Sequence, residues 1–126
     1  MVDRNDFVVI NEIDVNVTTL KHFIVKNEIP KIDYLKIDTQ GCDLKVLMGL
    51  EDLISIVVEG NMEAAAKTDV LYEGQNTQEQ SIEFLEKNGF EITKIESNDT
   101  DGNEVNIHYR NKHPKTLQFD RVYNLI

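Results

Sequence analysis

The chain has 126 residues, 40% hydrophobic and 29% charged, a composition typical of one globular domain and not of a disordered or fibrous chain. Its formal net charge of −10 argues against binding to nucleic acid or to an anionic membrane surface. The single cysteine, Cys42, excludes an internal disulfide and the multi-cysteine zinc patterns. The N-terminus has no apolar signal-peptide core and no apolar run is long enough to span a bilayer, so we expect a cytoplasmic protein.

The first third of the chain changes from the period of a strand to that of a helix. Within residues 6–17, apolar side chains fall partly at every second position, which predicts a strand; they are Phe7, Val9, Ile13, Val15 and Val17. A helix is predicted next, capped by Thr18 or Thr19 and stopped by Asn27 and Pro30.

Two continuous apolar runs follow, and each is predicted to be a strand that ends at an acid. The run DYLKI ends at Asp38 and the run LISIVVEG ends at Glu59, and neither alternates, as expected of strands covered on both faces in a parallel sheet. Between them, CDLKVLMGL predicts a short helix with Asp43 in its first turn, where a negative charge favours the helix dipole.

The second half of the chain begins with a long irregular stretch, EGNMEAAAKTDVLYEGQNT, and loops of that length are often functional. A capping box at Thr77 and Gln80 then opens a helix that ends at Gly89. The segments FEITKIES and VNIHYRN flank the turn NDTDGNE and predict a hairpin. The tail, residues 113–126, fits either one more edge strand or a docking segment. The whole chain, 1–126, is therefore predicted to be one α/β domain with a sheet that is parallel in its middle and antiparallel at one edge.

In open α/β sheets, ligands bind outside the carboxyl ends of the strands. Asp38 and Glu59 are both predicted to lie at such ends, so we expect them to face one crevice. The alternative for Asp38 is that it caps the next helix, accepting backbone N–H groups near Gly41 and Cys42.

The residues around Asp38 carry a family resemblance. The stretch KIDYLKIDTQGCDLKVLMGLEDL resembles the central motif of the FkbM-type methyltransferases, a K-I-D-x-E-G strand end followed by a helix with E/D-L-x-V-L-x-G. VTTLKHF is similar to the segment ahead of that strand, and residues 71–92 resemble the later loop, helix and sixth strand. The resemblance covers residues 15–110, with specific blocks at 34–50 and 71–92.

The resemblance implies an S-adenosylmethionine-dependent O-methyltransferase with a class I, Rossmann-like sheet. It places Lys36 and Asp38 in the family motif, with Asp38 at the lip of the cofactor and acceptor site, and Glu59 matches an acid at the end of the fifth strand. Gln40 stands where the family usually has Glu. The implied acceptor is a small molecule or a glycan.

The chain departs from the family in its glycines. By the same resemblance, the class I fold holds its cofactor on strands one to three, with a Gly-rich turn after the first. The six glycines here lie at positions 41, 49, 60, 74, 89 and 102, and no two are spaced as G-x-G. The residues before Thr18 are too few for two βα units of about 30 residues each. The chain thus resembles only the C-terminal half of the family, and alone we expect it to be inactive and to bind S-adenosylmethionine weakly or not at all.

The other candidate sites have weaker support from the sequence. In the long loop, Tyr72 and Gln75 are candidate acceptor contacts, together with Lys36, although the loop can equally be bonded to the sheet. Asp38, Asp43 and Glu59 are the residue types that bind magnesium, but no metal site is predicted, because Asp43 is expected to project away from the rim formed by the carboxyl ends of the strands. The three histidines are scattered and are expected on the surface or in packing, and Cys42 is expected to be an inert buried thiol.

Three functions remain open: a methyltransferase, a non-catalytic remnant that acts as an interaction or assembly module, and a phospho-receiver-like domain. The last needs a Lys after the fifth strand, and VVEGNM has none. In the class I order, the YLKI strand pairs with SIVVE on one side and with a strand that this chain lacks on the other. That open edge predicts a homodimer, formed edge to edge or by exchange of the N-terminal strand; the alternative is an N-terminal strand folded back on the edge.

Overall fold

The computed structural model describes residues 9–66, 74–97, 101–120 and 123–126. The elements in chain order are α1 Leu20–Lys26, β1 Ile32–Lys36, α2 Asp43–Met48, a 3-10 helix Glu51–Ile56, β2 Val57–Ala65, α3 Gln78–Lys87, β3 Phe90–Ser97, β4 Glu104–Asn111, β5 Leu117–Phe119 and β6 Tyr123–Leu125. Within these ranges no helix combines the length and the apolar character that crossing a membrane requires.

The main sheet has four strands in the order β1-β2-β4-β3. β1 and β2 run parallel, with Tyr34 opposite Glu59. β4 is antiparallel to both β2 and β3. The predicted mixture of parallel strands and a C-terminal antiparallel hairpin is confirmed. In the described part of the chain, β1 is an edge strand with no neighbour on its other side.

Both predicted helix caps are confirmed. The Thr19 hydroxyl accepts the backbone N–H of His22 at 3.1 Å at the start of α1. Thr77 and Gln80 form the capping box of α3, where each side chain accepts the other residue's backbone N–H. These caps satisfy N–H groups that the first turn of a helix leaves without partners.

The core lies on one face of the sheet, under α2 and α3. From β2 and β4 it receives Met62, Ala64, Ile107 and Tyr109, all buried. Tyr109 packs edge-on against Phe90, with ring centroids 5.1 Å apart. The opposite face carries polar side chains at the alternate positions of the same strands, as the two-residue period of a strand requires.

The predicted N-terminal strand is wrong for the residues that the structure describes. Residues 9–19 form no helix or strand, and Val9, Ile13, Val15 and Val17 are exposed; Phe7 lies outside the described residues. A strand needs a neighbour to accept its hydrogen bonds, and this segment lies on no strand of the sheet.

Both predicted bounds of the second strand are wrong. Residues 53–56, expected in the strand, belong to the 3-10 helix Glu51–Ile56, and β2 begins at Val57. β2 does not stop at Glu59 but continues through Ala65, and its last residues pair with the start of β4. The segment EAAAK has a high helix propensity, yet three of its residues are in this strand. Pairing with β4 overrides that local preference.

The tail docks against the amino ends of the parallel strands. The Leu117 N–H donates to the carbonyl of Pro30 at 2.8 Å, and the Lys115 N–H donates to the carbonyl of Ser55 at 2.8 Å. The Leu117 side chain is buried in the core, and β5 and β6 form a small separate two-stranded sheet. Of the two alternatives for residues 113–126, the docking segment is confirmed.

Candidate functional site

The loop from β1 to α2 turns sharply at the carboxyl end of β1. Gln40 has a φ of 59° and Gly41 a φ of 118°, so two successive residues have positive φ, a backbone conformation that L side chains seldom adopt. Gly41 is buried. The turn places Asp38 and Gln40 on the exposed side of the rim, while the chain after Gly41 re-enters the core.

Asp43, the first residue of α2, is the buried acid of this rim. Its side chain is 1% exposed, and one carboxylate oxygen accepts the N–H and the hydroxyl of Thr39, the N–H at 2.9 Å. The other oxygen accepts the N–H of Glu63 on β2 at 2.8 Å. The prediction that Asp43 lies in the first helical turn is confirmed, but the expectation that it projects away from the rim is wrong. Asp43 joins the loop after β1 to the carboxyl end of β2.

Asn76 makes a second connection to the same stretch of β2. Its amide nitrogen donates to the carbonyl of Glu63 at 2.9 Å and to the Ser81 hydroxyl at 2.8 Å. Its amide oxygen accepts the Leu44 N–H at 3.3 Å, and its backbone carbonyl accepts the Ala65 N–H at 2.9 Å. Asn76 thereby ties together the starts of α2 and α3 and the end of β2, and the polar groups under the rim are satisfied.

Asp38 has a different environment from Asp43. It is exposed, and its carboxylate accepts the side-chain amide of Gln40 at 3.1 Å. The capping alternative for Asp38 is wrong, because the Cys42 N–H donates to the Thr39 hydroxyl at 3.0 Å instead. Asp38 therefore presents a carboxylate to solvent at the carboxyl end of β1.

Glu59 does not share this rim, so the predicted pairing of Asp38 with Glu59 is wrong. Glu59 is the third residue of β2, opposite Tyr34 on β1 and Arg110 on β4, and it is exposed on the polar sheet face. About 13 Å of strand separates it from Glu63, the β2 residue beside the rim, at roughly 3.3 Å per residue. Glu59 is distant from the rim because β2 continues for six residues beyond it, through Ala65.

The predicted acceptor contacts lie in different places. Lys36 is exposed at the end of β1, opposite Asn61, whose side-chain amide donates to the Tyr34 hydroxyl at 3.1 Å. Gln75 is buried and donates to the carboxylate of Glu104 at 2.9 Å, so the alternative in which the loop is bonded to the sheet applies to it. Tyr72 lies outside the described residues.

A cavity of about 330 Å³ opens next to the rim, between α2 and the start of α3. It is lined by Gly41, Leu44, Lys45, Met48, Gly74, Asn76 and Gln80. Its volume is within the range of small-molecule sites, and its lining combines apolar side chains with a few polar groups.

The other titratable groups are placed as follows. Among the described residues, no group of three or more His, Cys, Asp or Glu side chains could hold a metal ion. His22 and His113 are exposed, as expected, and His108 hydrogen-bonds Glu96 at 2.8 Å. That bond, with Lys94 alongside, lowers the pKa of Glu96. Cys42 is exposed, which corrects the expectation of a buried thiol.

Thr39 and Asn76 are functional candidates that sequence reasoning missed. Thr39 had a local signal, because threonine hydroxyls often accept backbone N–H groups a few residues later in the turn that leads into a helix. Asn76 had none, since its partners on β2 and α2 are distant in sequence.

A scan against protein-family models matched residues 4–92 to the methyltransferase FkbM domain. The match covers β1, the Asp38 loop, α2, β2 and α3, and it stops before β4 and the tail. The comparisons with curated proteins and with solved structures gave no match. The matched range is more than two thirds of the chain and includes Asp43 and Asn76, which link the loop after β1 to the end of β2. The chain therefore belongs to the FkbM methyltransferase family.

Proposed function

We propose that the chain is the acceptor-side half of an S-adenosylmethionine-dependent O-methyltransferase domain. The observation that carries the proposal is the position of β1, a parallel strand at the edge of the described sheet with the Asp38 loop at its carboxyl end. In a doubly wound sheet this is the position next to the switch point, where ligands bind. The order β1-β2-β4-β3 fits one side of such a sheet.

The residues of this chain do not fit the cofactor by themselves. A nucleotide-like ligand needs backbone without side chains close to it, usually at a Gly-rich turn. Gly60 offers no such space: an added Cβ would lie 2.3 Å from the carbonyl oxygen of Leu35 and 2.4 Å from the Tyr109 hydroxyl, so protein atoms already fill the volume beside it. The cofactor-binding half has to come from elsewhere, either from further sequence in the same polypeptide or from another chain.

Asp38 is the residue of this half that we assign to the acceptor. Its exposed carboxylate accepts a hydrogen bond from the acceptor hydroxyl and thereby orients the hydroxyl oxygen. Asp43 and Asn76 act indirectly, because they hold the loop and the end of β2 in place. The acceptor class that fits a carboxylate at an open rim is a hydroxylated small molecule or a glycan.

Titration of the chain with S-adenosylmethionine at millimolar concentration in a calorimeter tests the proposal. We expect no saturable heat, because the Gly-rich turn is missing from the sequence. A full-length FkbM methyltransferase under the same conditions is the positive control. A dissociation constant in the micromolar range for this chain alone would show that the site is complete and would refute the division into halves.

A second candidate function is a non-catalytic assembly module. The open edge of β1 favours it, since an unpaired edge strand is a surface on which another chain can add a strand. The two functions are distinguished by supplying the missing half. Cofactor binding would then favour the methyltransferase, and no binding would favour the assembly module.

A further inference from the structure

The open edge of β1 presents backbone groups in a defined pattern. The Ile37 N–H donates to the carbonyl of Asn61 at 3.1 Å, so the backbone of Ile37 faces β2. In a parallel pair, alternate residues direct their N–H and C=O groups to opposite neighbours. The N–H and C=O groups of Tyr34 and Lys36 therefore point away from β2, toward a side where the described chain places no strand.

The segment formed by residues 9–17, which we call the N-terminal arm, exposes apolar side chains that an added strand would bury. Its apolar side chains fall partly at every second position, as in a strand, but it pairs with no strand among the described residues. Val9, Ile13, Val15 and Val17 occupy odd positions and are 71% to 91% exposed, with Asn11 the one polar residue among them. Glu12, Asp14 and Asn16 occupy even positions, where Ile10 is the one apolar residue. Exposure of these apolar side chains to water is unfavourable, and pairing of the arm with another strand would bury them.

The two faces of the arm match the two faces of β1. On β1, Leu35 is half-buried on the core side, whereas Tyr34 and Lys36 are exposed on the polar side. An added strand with its odd residues on the core side would bury its valines and Ile13 next to Leu35. Its acids, Glu12 and Asp14, would then lie on the polar side, within reach of the Lys36 ammonium.

We propose that the N-terminal arm of one copy pairs with the open edge of β1 in a second copy, so that two chains form an arm-exchanged dimer. In the described structure the arm does not lie on its own β1, although that edge is open. A symmetric exchange fills two edges and buries two arms in a single association. It therefore buries twice the apolar surface of one arm, while the rotational and translational freedom of association is lost only once. The arm would occupy the same edge of β1 that the cofactor-binding half fills in the methyltransferase proposal, so the exchange applies to the chain alone, and its test does not involve the cofactor.

Light scattering on the full chain at micromolar concentration tests the exchange. We expect a mass of twice the 14.5 kDa monomer for the unmodified chain. Val15→Asp places a charge on the apolar face of the arm in both copies, and we expect the dimer dissociation constant to rise about a hundredfold. Asn16→Asp adds the same charge to the adjacent position on the opposite face, and we expect it to remain dimeric.

Other outcomes would overturn the proposal. A monomer mass for the unmodified chain at all concentrations would mean that the arm pairs with no second copy. Dimers for all three proteins would indicate an interface that does not use the arm, such as β1 against β1, and a monomeric Asn16→Asp would refute the assignment of faces. Lys36→Glu is a second variant, and we expect it to weaken the dimer because it places a negative charge next to Glu12 and Asp14 of the arm. Adding Glu12→Lys and Asp14→Lys should restore the dimer.

Discussion

Two aspartates in one loop have opposite environments. Asp43 is buried and accepts three hydrogen bonds, from two donors on Thr39 and from the Glu63 N–H. Asp38 is exposed and accepts one, from Gln40. A carboxylate whose oxygens are fully occupied stabilises the fold, whereas an exposed one is available to a ligand.

We predict that Asp43→Ala lowers the free energy of unfolding by about 3 kcal/mol, because it leaves buried N–H groups on two segments without acceptors. Urea denaturation of both proteins at neutral pH measures the difference. Asp38→Asn is the matched control and should change the free energy of unfolding by less than about 0.5 kcal/mol. Equal losses for the two variants would contradict the distinction between them.

The sequence could place both aspartates in a loop after a buried strand, but it could not tell which of them is buried. A D-x-x-G turn offers a carboxylate to the following helix, and Asp38 was the nearest candidate for that cap. In the structure the Thr39 hydroxyl accepts the Cys42 N–H, and Asp43 is the buried acid. Asp43 is buried because it accepts the Glu63 N–H, which lies within reach only after β1 and β2 have paired. Long-range partners of this kind leave no local signal.

At the scale of the elements, the antiparallel strands β2 and β4 leave almost no spare space around Gly60. Gly60 lies opposite Tyr109, whose ring covers it, and the Tyr109 hydroxyl is buried without a hydrogen-bond partner among the described residues. Burial raises the pKa of Tyr109, so it remains protonated at neutral pH. The ring packs well, but its hydroxyl loses its hydrogen bond to water.

We predict that Gly60→Ala lowers the free energy of unfolding by about 3 kcal/mol, since the added methyl would overlap the carbonyl of Leu35 and the Tyr109 ring. Tyr109→Phe should instead leave stability unchanged or raise it by about 1 kcal/mol, because it removes an unsatisfied buried hydroxyl. Thermal and urea unfolding measure both. A large loss for Tyr109→Phe would mean that the hydroxyl has a partner, such as a bound water.

The elements that were predicted well depend on local signals. The capping box before α3 is formed within four residues, and the antiparallel pairing of β3 with β4 is predicted by the turn-forming sequence between them; the structure has both. The continuation of β2 and the absence of a strand in residues 9–17 depend on which strands are available for pairing. The site inherited the first of these errors, since Glu59 was assigned to the rim only because β2 was expected to end there.

At the scale of the whole molecule, the chain combines a well-connected sheet with an open edge at its parallel side. Asp43 and Asn76 link the loop after β1 and the start of α3 to the carboxyl end of β2. This arrangement agrees with our proposal that the chain is an acceptor-side half that needs a second set of strands to hold a cofactor.

The most direct test of this account supplies those strands. The cofactor-binding half of an active FkbM methyltransferase is joined to the amino end of this chain, and S-adenosylmethionine binding is measured by calorimetry for the fusion and for each part alone. Cooperative thermal unfolding of the fusion establishes that it is folded. The account predicts that the fusion binds at least about tenfold more tightly than either part, because the site is completed at the edge of β1. A folded fusion that binds the cofactor no more tightly than the donor half alone would contradict it.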